Sequence, residues 1–563
     1  MKLANQITIG GRTIDVPVNM VDQIVNYFDP VKGQARFQNR ARMALVGGYT
    51  GADRTRRANQ DRAWRLERDA DSAILPDLPT LREEAQHLFR NNAIAGGAIR
   101  TNITKVVGTG LKVKPQLDRT VLKITDEQAD EWERAAAREF RLATETREID
   151  SERQLPFSLL QGLIFLKVLE DGDVLVNMPR FQRPGSPYTL KLQLIEAARL
   201  INKDRSQNTA YLSGGVVKDS NGAPTAYHVL NQHPGALFRT LVGGAQLTWT
   251  QIPAFGPSGN PLCLHLFDKN RPGQSRGVPY LAPVTELIKQ LGRYTDAEVM
   301  AAVVSGMLTV FVTNEAGNPS LGPAPNWSNT TGDPANQVDP TGMELGYGSV
   351  VGLLPGEKIE TVSPGRPNPA FDPFMTSILR QIGMALELPF EILIKHFTAS
   401  YSASRAALME AWDYFRRRRH WLVTMLCQPI YEAVITEAVA RGRLSAPGFL
   451  SDPIVRRAWL GSSWIGDAPY HLDPLKEINA AKERMDTFLT THEEECAAMP
   501  QGGSDWQAKV PQFIKEHQIL KENGLLPEPT VRITETGNAP AAEPAANEPE
   551  PNADQLESDL ETS

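Results

Sequence analysis

This chain should fold as α+β, in several packed units with a mostly antiparallel sheet, and three observations say so. Its 563 residues exceed one ordinary core, so two to four units are expected. Short strand-like runs accumulate between Leu190 and Phe267, separated by Asn-Gly and Gly-Pro punctuation. A stretch rich in Gly, Pro, Asn and Thr, residues 314–368, interrupts two helical runs. Composition agrees with a folded chain, since 41% hydrophobic and 22% charged residues lie near globular averages.

The totals also exclude several classes. No apolar run reaches the roughly 20 residues that cross a bilayer, and the N-terminal MKLANQITIGGRTIDV lacks the apolar centre of a signal peptide, so a protein made and kept in a cytoplasm is expected. Cys263, Cys427 and Cys496 are odd in number and far apart, which offers neither a disulfide framework nor zinc spacing. A formal charge of −7 means that any contact with DNA must be local, weak or sliding.

Along the chain, residues 41–68 are Arg-rich, with Trp64 and Leu66 as the main apolar marks. They suit a solvated helix face or arm, and a subunit or nucleic-acid contact stays open. Leu81, Ala85, Leu88, Phe89, Asn92, Ile99 and Ile103 recur at steps of three and four, predicting one amphipathic helix that ends near Gly108 and Gly110. Leu111, Val113 and Pro115 alternate with Lys112 and Lys114 as a strand. A helix over 125–144 follows, with Asp126 placed to accept backbone N–H bonds. Residues 157–169 predict a buried helix, Asp171 and Gly172 a turn, and 174–178 a strand; further strands are expected at 190–195, 225–230, 247–252 and 263–267.

A different texture starts at Arg271. Pro283 suits the first turn of a helix, and Val284, Leu287, Ile288, Leu291, Thr295, Val299, Ala302 and Val303 then hold one face for about thirty residues, on the order of 45 Å. Lys289, Arg293, Asp296 and Glu298 interrupt it, so it needs neighbouring helices and not a membrane. Residues 314–368 predict a small loop-rich β module, with a strand at 349–354 and its hairpin partner at 359–362, before a second helix over 372–386. A helix over 402–428 is capped by Ser402 and broken or kinked at Pro429, with Leu408, Trp412, Phe415, Leu422 and Leu426 as its stripe. Arg416 to Arg419 splay around that helix, which favours a subunit interface or salt bridges over DNA contact. Asp473 and Pro474 start another helix, and a last one over 504–522 turns Trp506, Val510, Phe513, Ile514, His517 and Leu520 inward before stopping at Gly524. No Lys or Arg follows Arg532, and that tail should be disordered.

No catalytic set is expected. GGYTGADR and VVGTGLKVK lack the Lys-Ser or Lys-Thr pair of a P-loop, and GPSGN is not a nucleophile elbow. The nine histidines form no HxxxH or Cys/His cluster, so neither a metal nor a cofactor is expected. His228 and His265 read as structural histidines, and the acids of EDGD, 170–173, as a tight turn more simply than as a cation site. A hydrolase on the α+β domain would need a convergent Ser/His/Asp set, which is not found.

The chain resembles the lambda-type portal family of tailed bacteriophages. The likeness is carried, in order, by GADRTRR, HLFRNNAIAGGAIRTNITKVVGTGLKVKP, RPGQSRGVPYLAPV, LPFEILIKHFTASYSASRAALMEAW and DPLKEINAAKERM. It spans roughly Ala44 to Leu526, without the first forty residues or the acidic tail.

The resemblance implies a homo-oligomeric ring, commonly of twelve copies, that replaces one pentamer at a capsid vertex and passes double-stranded DNA through its axial tunnel. It implies an N-terminal arm at 1–43, a wing at 44–270, a first stem helix within 271–313, a clip insert at 314–368, a second stem helix within 369–387, a tunnel loop at 388–401, a wing helix and connection at 402–455, a crown at 456–530 and an acidic tail at 531–563. Lys395, His396, Phe397 and Thr398 would face passing DNA through phosphate and sugar, although Lys395 and His396 also suit a merely solvated helix connection. Leu287, Leu291, Val299, Trp412 and Phe415 would pack stems and subunits, and Asn326, Trp327 and Tyr347 would lie on the clip surface that meets partners. Those partners would be the terminase large subunit, the major capsid protein and scaffold, and head–tail adaptors, with no membrane. The location would be the virion vertex, and the host cytoplasm during assembly. Another structural ring of a virion, a minor capsid protein or a tail adaptor, would also be oligomeric and acidic, but gives no reason for paired long helices around a small β insert.

Overall fold

The computed structural model describes residues 6–9, 12–15, 68–236, 247–306, 310–314, 357–361, 368–397, 401–468, 474–499 and 506–525. The chain divides into two compact units, residues 1–469 and 470–563.

In the first unit, β1 (Gln6–Ile9) and β2 (Arg12–Asp15) form an antiparallel pair. Then come α1 (Ala70–Ile74), α2 (Leu78–Asn91) and α3 (Ala93–Val106). The single helix expected from Leu81 to Ile103 is therefore two. Asn92 leaves the helical region and its side chain accepts from the N–H groups of Ile94 and Ala95, at 3.0 Å each, so it caps a new helix instead of continuing the old one. β3 (Lys112–Pro115) lies where alternation placed it, followed by α4 (Arg119–Leu122) and α5 (Asp126–Thr144). The cap of α5 is Thr125, in a capping box with Gln128, while Asp126 pairs with Arg119 at 2.7 Å. α6 (Phe157–Asp171) ends at Gly172, whose φ of 91° turns the chain into β4 (Asp173–Asn177).

β5 (Gln193–Glu196), β6 (Leu212–Ser213), β7 (Val216–Lys218), β8 (Pro224–Leu230), β9 (Trp249–Pro253) and β10 (Cys263–Phe267) complete two sheets, with strand orders β10-β4-β5 and β6-β7-β8-β9. Each strand pair is antiparallel, as the turn punctuation predicts. A small core joins the sheets: Leu175 and Ile195 from one meet Val216, Tyr227 and Val229 from the other.

After a 3-10 turn at Ala282–Val284, α7 (Thr285–Gly306) is shorter than the thirty residues expected. Beyond it, β11 (Val310–Asn314) pairs antiparallel with β12 (Glu357–Thr361), and this corrects two expectations. Residues 310–313 are strand and not stem helix, and the described partner of Ile359 is Val312 and not a residue of 349–354. The rest of the insert, including 349–354, lies outside the described residues, as do the Arg-rich stretch before Arg68 and the tail after Leu525. α8 (Phe371–Ala385) packs on α7 through Tyr294, whose ring stacks on Phe371 at 5.7 Å and meets Phe374 edge-on at 4.8 Å.

α9 (Phe390–Ile394) is followed by α10 (Tyr401–Leu422), a π-helical turn at Val423–Cys427 and α11 (Gln428–Ala440). Pro429 thus neither ends nor breaks the helix. The N–H of Gln428 reaches back five residues to Val423, and this wider turn makes room for a ring that would strike the carbonyl four residues before it. Ser402, expected just before this helix, lies within the span of α10. Residues 403–440 are long and apolar enough to cross a membrane by length and composition, yet Ile430, Val434, Ile435 and Ala438 are wholly buried in this unit, as in a core helix. α12 (Pro453–Trp459) and β13 (Ser462–Ile465) close the unit, with β13 pairing β3. The main core gathers α2, α3, α5, α6, the first half of α7, α10 and α11. Trp132 meets Trp459 at 4.9 Å and donates to the Ser445 carbonyl at 2.9 Å.

The second unit contains α13 (Pro474–Asp486), α14 (His492–Ala497) and α15 (Trp506–Glu522). Pro474 opens α13 as predicted, whereas Asp473 lies outside the described residues. Of the residues expected inward on α15, Trp506, Phe513, Ile514, His517 and Leu520 are exposed and Val510 is half-buried.

Candidate functional site

Two assemblies in the first unit carry the motifs that stood out in the sequence. One surrounds RPGQSRG, residues 271–277. Asp173 lies at the start of β4, wholly buried, and accepts from Arg276 Nε at 2.5 Å, Arg82 Nη2 at 2.8 Å and His265 Nε2 at 3.0 Å. Burial alone would raise the Asp173 carboxyl, but the two guanidinium charges and the His265 hydrogen bond outweigh it and hold the group well below the ordinary carboxylate range. The same burial pushes His265 down, partly opposed by Asp173, and pushes Arg82 down to about 10. Ser275, next in the motif, donates from N and Oγ to Asp71 at 2.8 and 2.5 Å. The acids of EDGD are engaged too, with Lys167 bridging Glu170 at 2.8 Å and Asp171 at 3.0 Å. This is a structural keystone, as the tight-turn reading and the structural reading of His265 anticipate.

The other assembly is the segment between α8 and α10. Leu386 and Leu388 are buried, with Glu387 between them at φ 54°, and α9 then anchors itself through buried Ile392 and Leu393. Lys395 ends α9 in the left-handed region, and the N–H of His396 returns to Glu391 O at 3.1 Å. Lys395, His396 and Phe397 therefore stand exposed at the end of α9; Thr398 lies outside the described residues.

The consecutive arginines of α10, Arg416 to Arg419, are all engaged within the chain. Arg416 pairs with Asp413, Arg417 with Glu387, and Arg418 with Asp268 at 2.5 Å. Arg419 donates to Lys105 O, Val106 O and Asp467 O at 2.9, 3.0 and 2.7 Å, which sets a cation at the C-terminus of α3. Of the two roles favoured from their consecutive spacing, Arg416, Arg417 and Arg418 take the salt-bridge one, and Arg419 binds backbone carbonyls instead.

Leu287, Leu291, Trp412 and Phe415 sit in or against the chain's own core, whereas Val299 is 59% exposed, beside Met300 at 63% and Val303 at 50%. Asn326, Trp327 and Tyr347 lie outside the described residues. Sequence reasoning missed Asp173, Tyr280, Gly383 and Glu387. The strand start after Gly172 hinted at the first; Gly383 meets Leu388 only five residues on, where the turn left no residue pattern to read, and the partners of Tyr280 and Glu387 are distant in the chain.

The family model "Phage portal protein, lambda family" matches residues 57–419. The chain therefore belongs to the lambda family of phage portal proteins, a structural class of virion proteins at the head–tail connector. It is 26% identical over 500 residues to the portal protein of Escherichia phage N15, spanning 85% of this chain and 90% of that one. Portal protein B of Escherichia phage lambda is 25% identical over 486 residues, 83% of this chain and 89% of the relative. A probable portal protein of Halomonas phage phiHAP-1 is 25% identical over 496 residues, 86% and 89% of the two chains. Among solved structures, a chain from the virion of a native gene transfer agent particle has a TM-score of 0.36 at 13% identity, covering 68% of this chain and 93% of that one.

Proposed function

We propose that the chain assembles as a homo-oligomeric ring of twelve copies at one capsid vertex and is the conduit for double-stranded DNA during packaging and ejection. Residues 44–270 form the wing, α7 and α8 stand in the stem, the insert between them is the clip, residues 388–401 form the tunnel loop and 456–530 the crown. The clip receives the terminase large subunit first and head–tail adaptors later, while the major capsid protein and scaffold meet the ring during assembly in the host cytoplasm. Contacts to DNA are to phosphate and sugar without base readout, because a genome conduit accepts every sequence. A net charge of −7 per chain suits a channel along which a polyanion slides without sticking.

The match to the family over 57–419 carries this reading. The exposed apolar run Val299, Met300 and Val303 supports it: the first half of α7 is sheltered by the chain itself, and the second half presents a face that a neighbouring copy would cover. Negative-stain imaging with native mass measurement of the purified chain tests it. Rings with a central hole, and a mass that is a multiple of the subunit, are expected; a stable solitary chain at high concentration overturns it.

A further inference from the structure

We infer that Tyr280 and Arg417 are positioning residues, which hold the turn between α8 and α9 and thereby set where Lys395, His396 and Phe397 stand. The consequence for DNA rests on the conduit reading; the mechanical claim does not.

The turn is conformationally unusual. Glu387, at φ 54°, and Lys395, at φ 55°, bracket the five residues of α9, and neither is glycine. L side chains rarely adopt that backbone, and it persists where the surroundings over-determine it. Around Glu387 they do so from three directions. The hydroxyl of Tyr280 donates to the carbonyl of Leu386, one residue before. Leu388 N, one residue after, donates to Gly383 O at 2.9 Å, and a Cβ at Gly383 would come within 2.6 Å of the Leu388 carbonyl, so only glycine allows this approach. The carboxylate of Glu387 itself is paired with Arg417 of α10.

These ties reach elements far from the segment in sequence. Tyr280 precedes α7, and its Oη accepts from Asn102 Nδ2 of α3 at 3.3 Å; Arg417 stands on α10. Only the five residues of α9 and the left-handed Lys395 lie between this turn and the exposed residues, so a shift at Glu387 has a short path to Phe397. The two ties differ physically. The Tyr280 bond is part-buried and joins two uncharged groups, so salt does not screen it. The Arg417–Glu387 pair, with side chains 63% and 50% exposed, is screened by it.

The test is spin-label mobility in the full chain, in a C496S background that leaves only the buried Cys263 and Cys427. One label replaces Phe397 (F397C) and a control replaces the exposed Leu159 of α6 (L159C). Tyr280→Phe and Arg417→Gln are each expected to shift the 397 label to faster motion and leave the 159 label unchanged. Added salt should loosen the 397 label in the parent and do nothing more in Arg417→Gln. An unchanged 397 label in a folded Tyr280→Phe protein overturns the inference. If that variant loosens both labels it has unfolded, and Arg417→Gln at low salt then decides: no shift at 397 overturns the inference, and a shift confined to 397 supports it. A shift at 397 with genome filling unaltered sinks the DNA-facing reading and leaves the positioning role standing.

Discussion

Arg276 grips both oxygens of Asp173, with Nε 2.5 Å from Oδ2 and Nη2 3.2 Å from Oδ1, and both side chains are almost wholly out of water. The same guanidinium donates to the carbonyls of Ala197, Leu200 and Gly214 at 2.7, 2.7 and 2.8 Å. One side chain thus joins the start of β4, the end of β5 and the loop before β7, and it does so immediately before the chain leaves the sheets for α7.

Asp173→Asn should therefore cost about 3–5 kcal/mol, because it leaves two buried guanidinium groups without their counter-charge. Arg276→Lys should lose nearly as much as Arg276→Met, since an ammonium cannot span a carboxylate and three carbonyls at once. Urea unfolding of the three variants beside the parent measures both. A Lys variant close to the parent would show that charge alone, without the fork, holds the keystone.

Gly277 completes the same motif by lying back to back with Gly172. A Cβ on Gly277 would fall 1.9 Å from the Gly172 carbonyl oxygen and 2.5 Å from its carbon. Backbone cannot retreat as a flexible side chain can, so Gly277→Ala should cost the upper end of the roughly 1–3 kcal/mol that overpacking takes. A thermal midpoint unchanged from the parent would mean that β4 and the 271–277 turn slide apart freely.

Acid should weaken this region before it titrates ordinary carboxylates. His265 is depressed below its ordinary value of 6.5 by burial, although Asp173 opposes the shift. In the unfolded chain it takes up a proton near pH 6.5, and in the folded chain only at lower pH. Its contribution is whole above that value and is lost as pH falls through the window below it, with a slope of at most about 1.4 kcal/mol per pH unit. Asp173, held well below 3.8, adds a second loss only in stronger acid. Unfolding at pH 7.5 and 5.5 should show the first loss in the parent, and a flatter response in His265→Gln, which keeps a donor toward Asp173. Equal slopes would remove His265 as the cause.

Much of this architecture is legible in the sequence, where period and punctuation act locally. Alternation at Val113 marks β3, Gly172 ends α6, and the Gly/Pro-rich texture after Asn314 separates α7 from α8. Errors arise where a side chain or a backbone register overrides the period. Asn92 looks like one polar position on a continuing helix, and becomes a cap because its amide reaches two free N–H groups. Pro429 looks like a break or a kink, and the helix passes it by a single π turn. The positioning contacts are least visible. Arg417 and Glu387 lie thirty residues apart, and nothing near either residue announces the other.

Lys395 and His396 provide the prediction closest to function. Both are exposed, and α9 beneath them is fixed by Ile392 and Leu393, so replacing the pair with Ala removes charge and hydrogen-bonding capacity without touching a buried contact. Stability should change by less than about 0.5 kcal/mol, as surface substitutions do, and ring formation should be unaffected. If these side chains meet phosphate as DNA passes, genome filling or retention should fall, with the difference from the parent shrinking as ionic strength rises. Counting filled and empty heads from a complementation assay, at low and high salt, reads this directly. Normal filling at both, with intact rings, would return the pair to the solvated helix connection that their sequence equally allows.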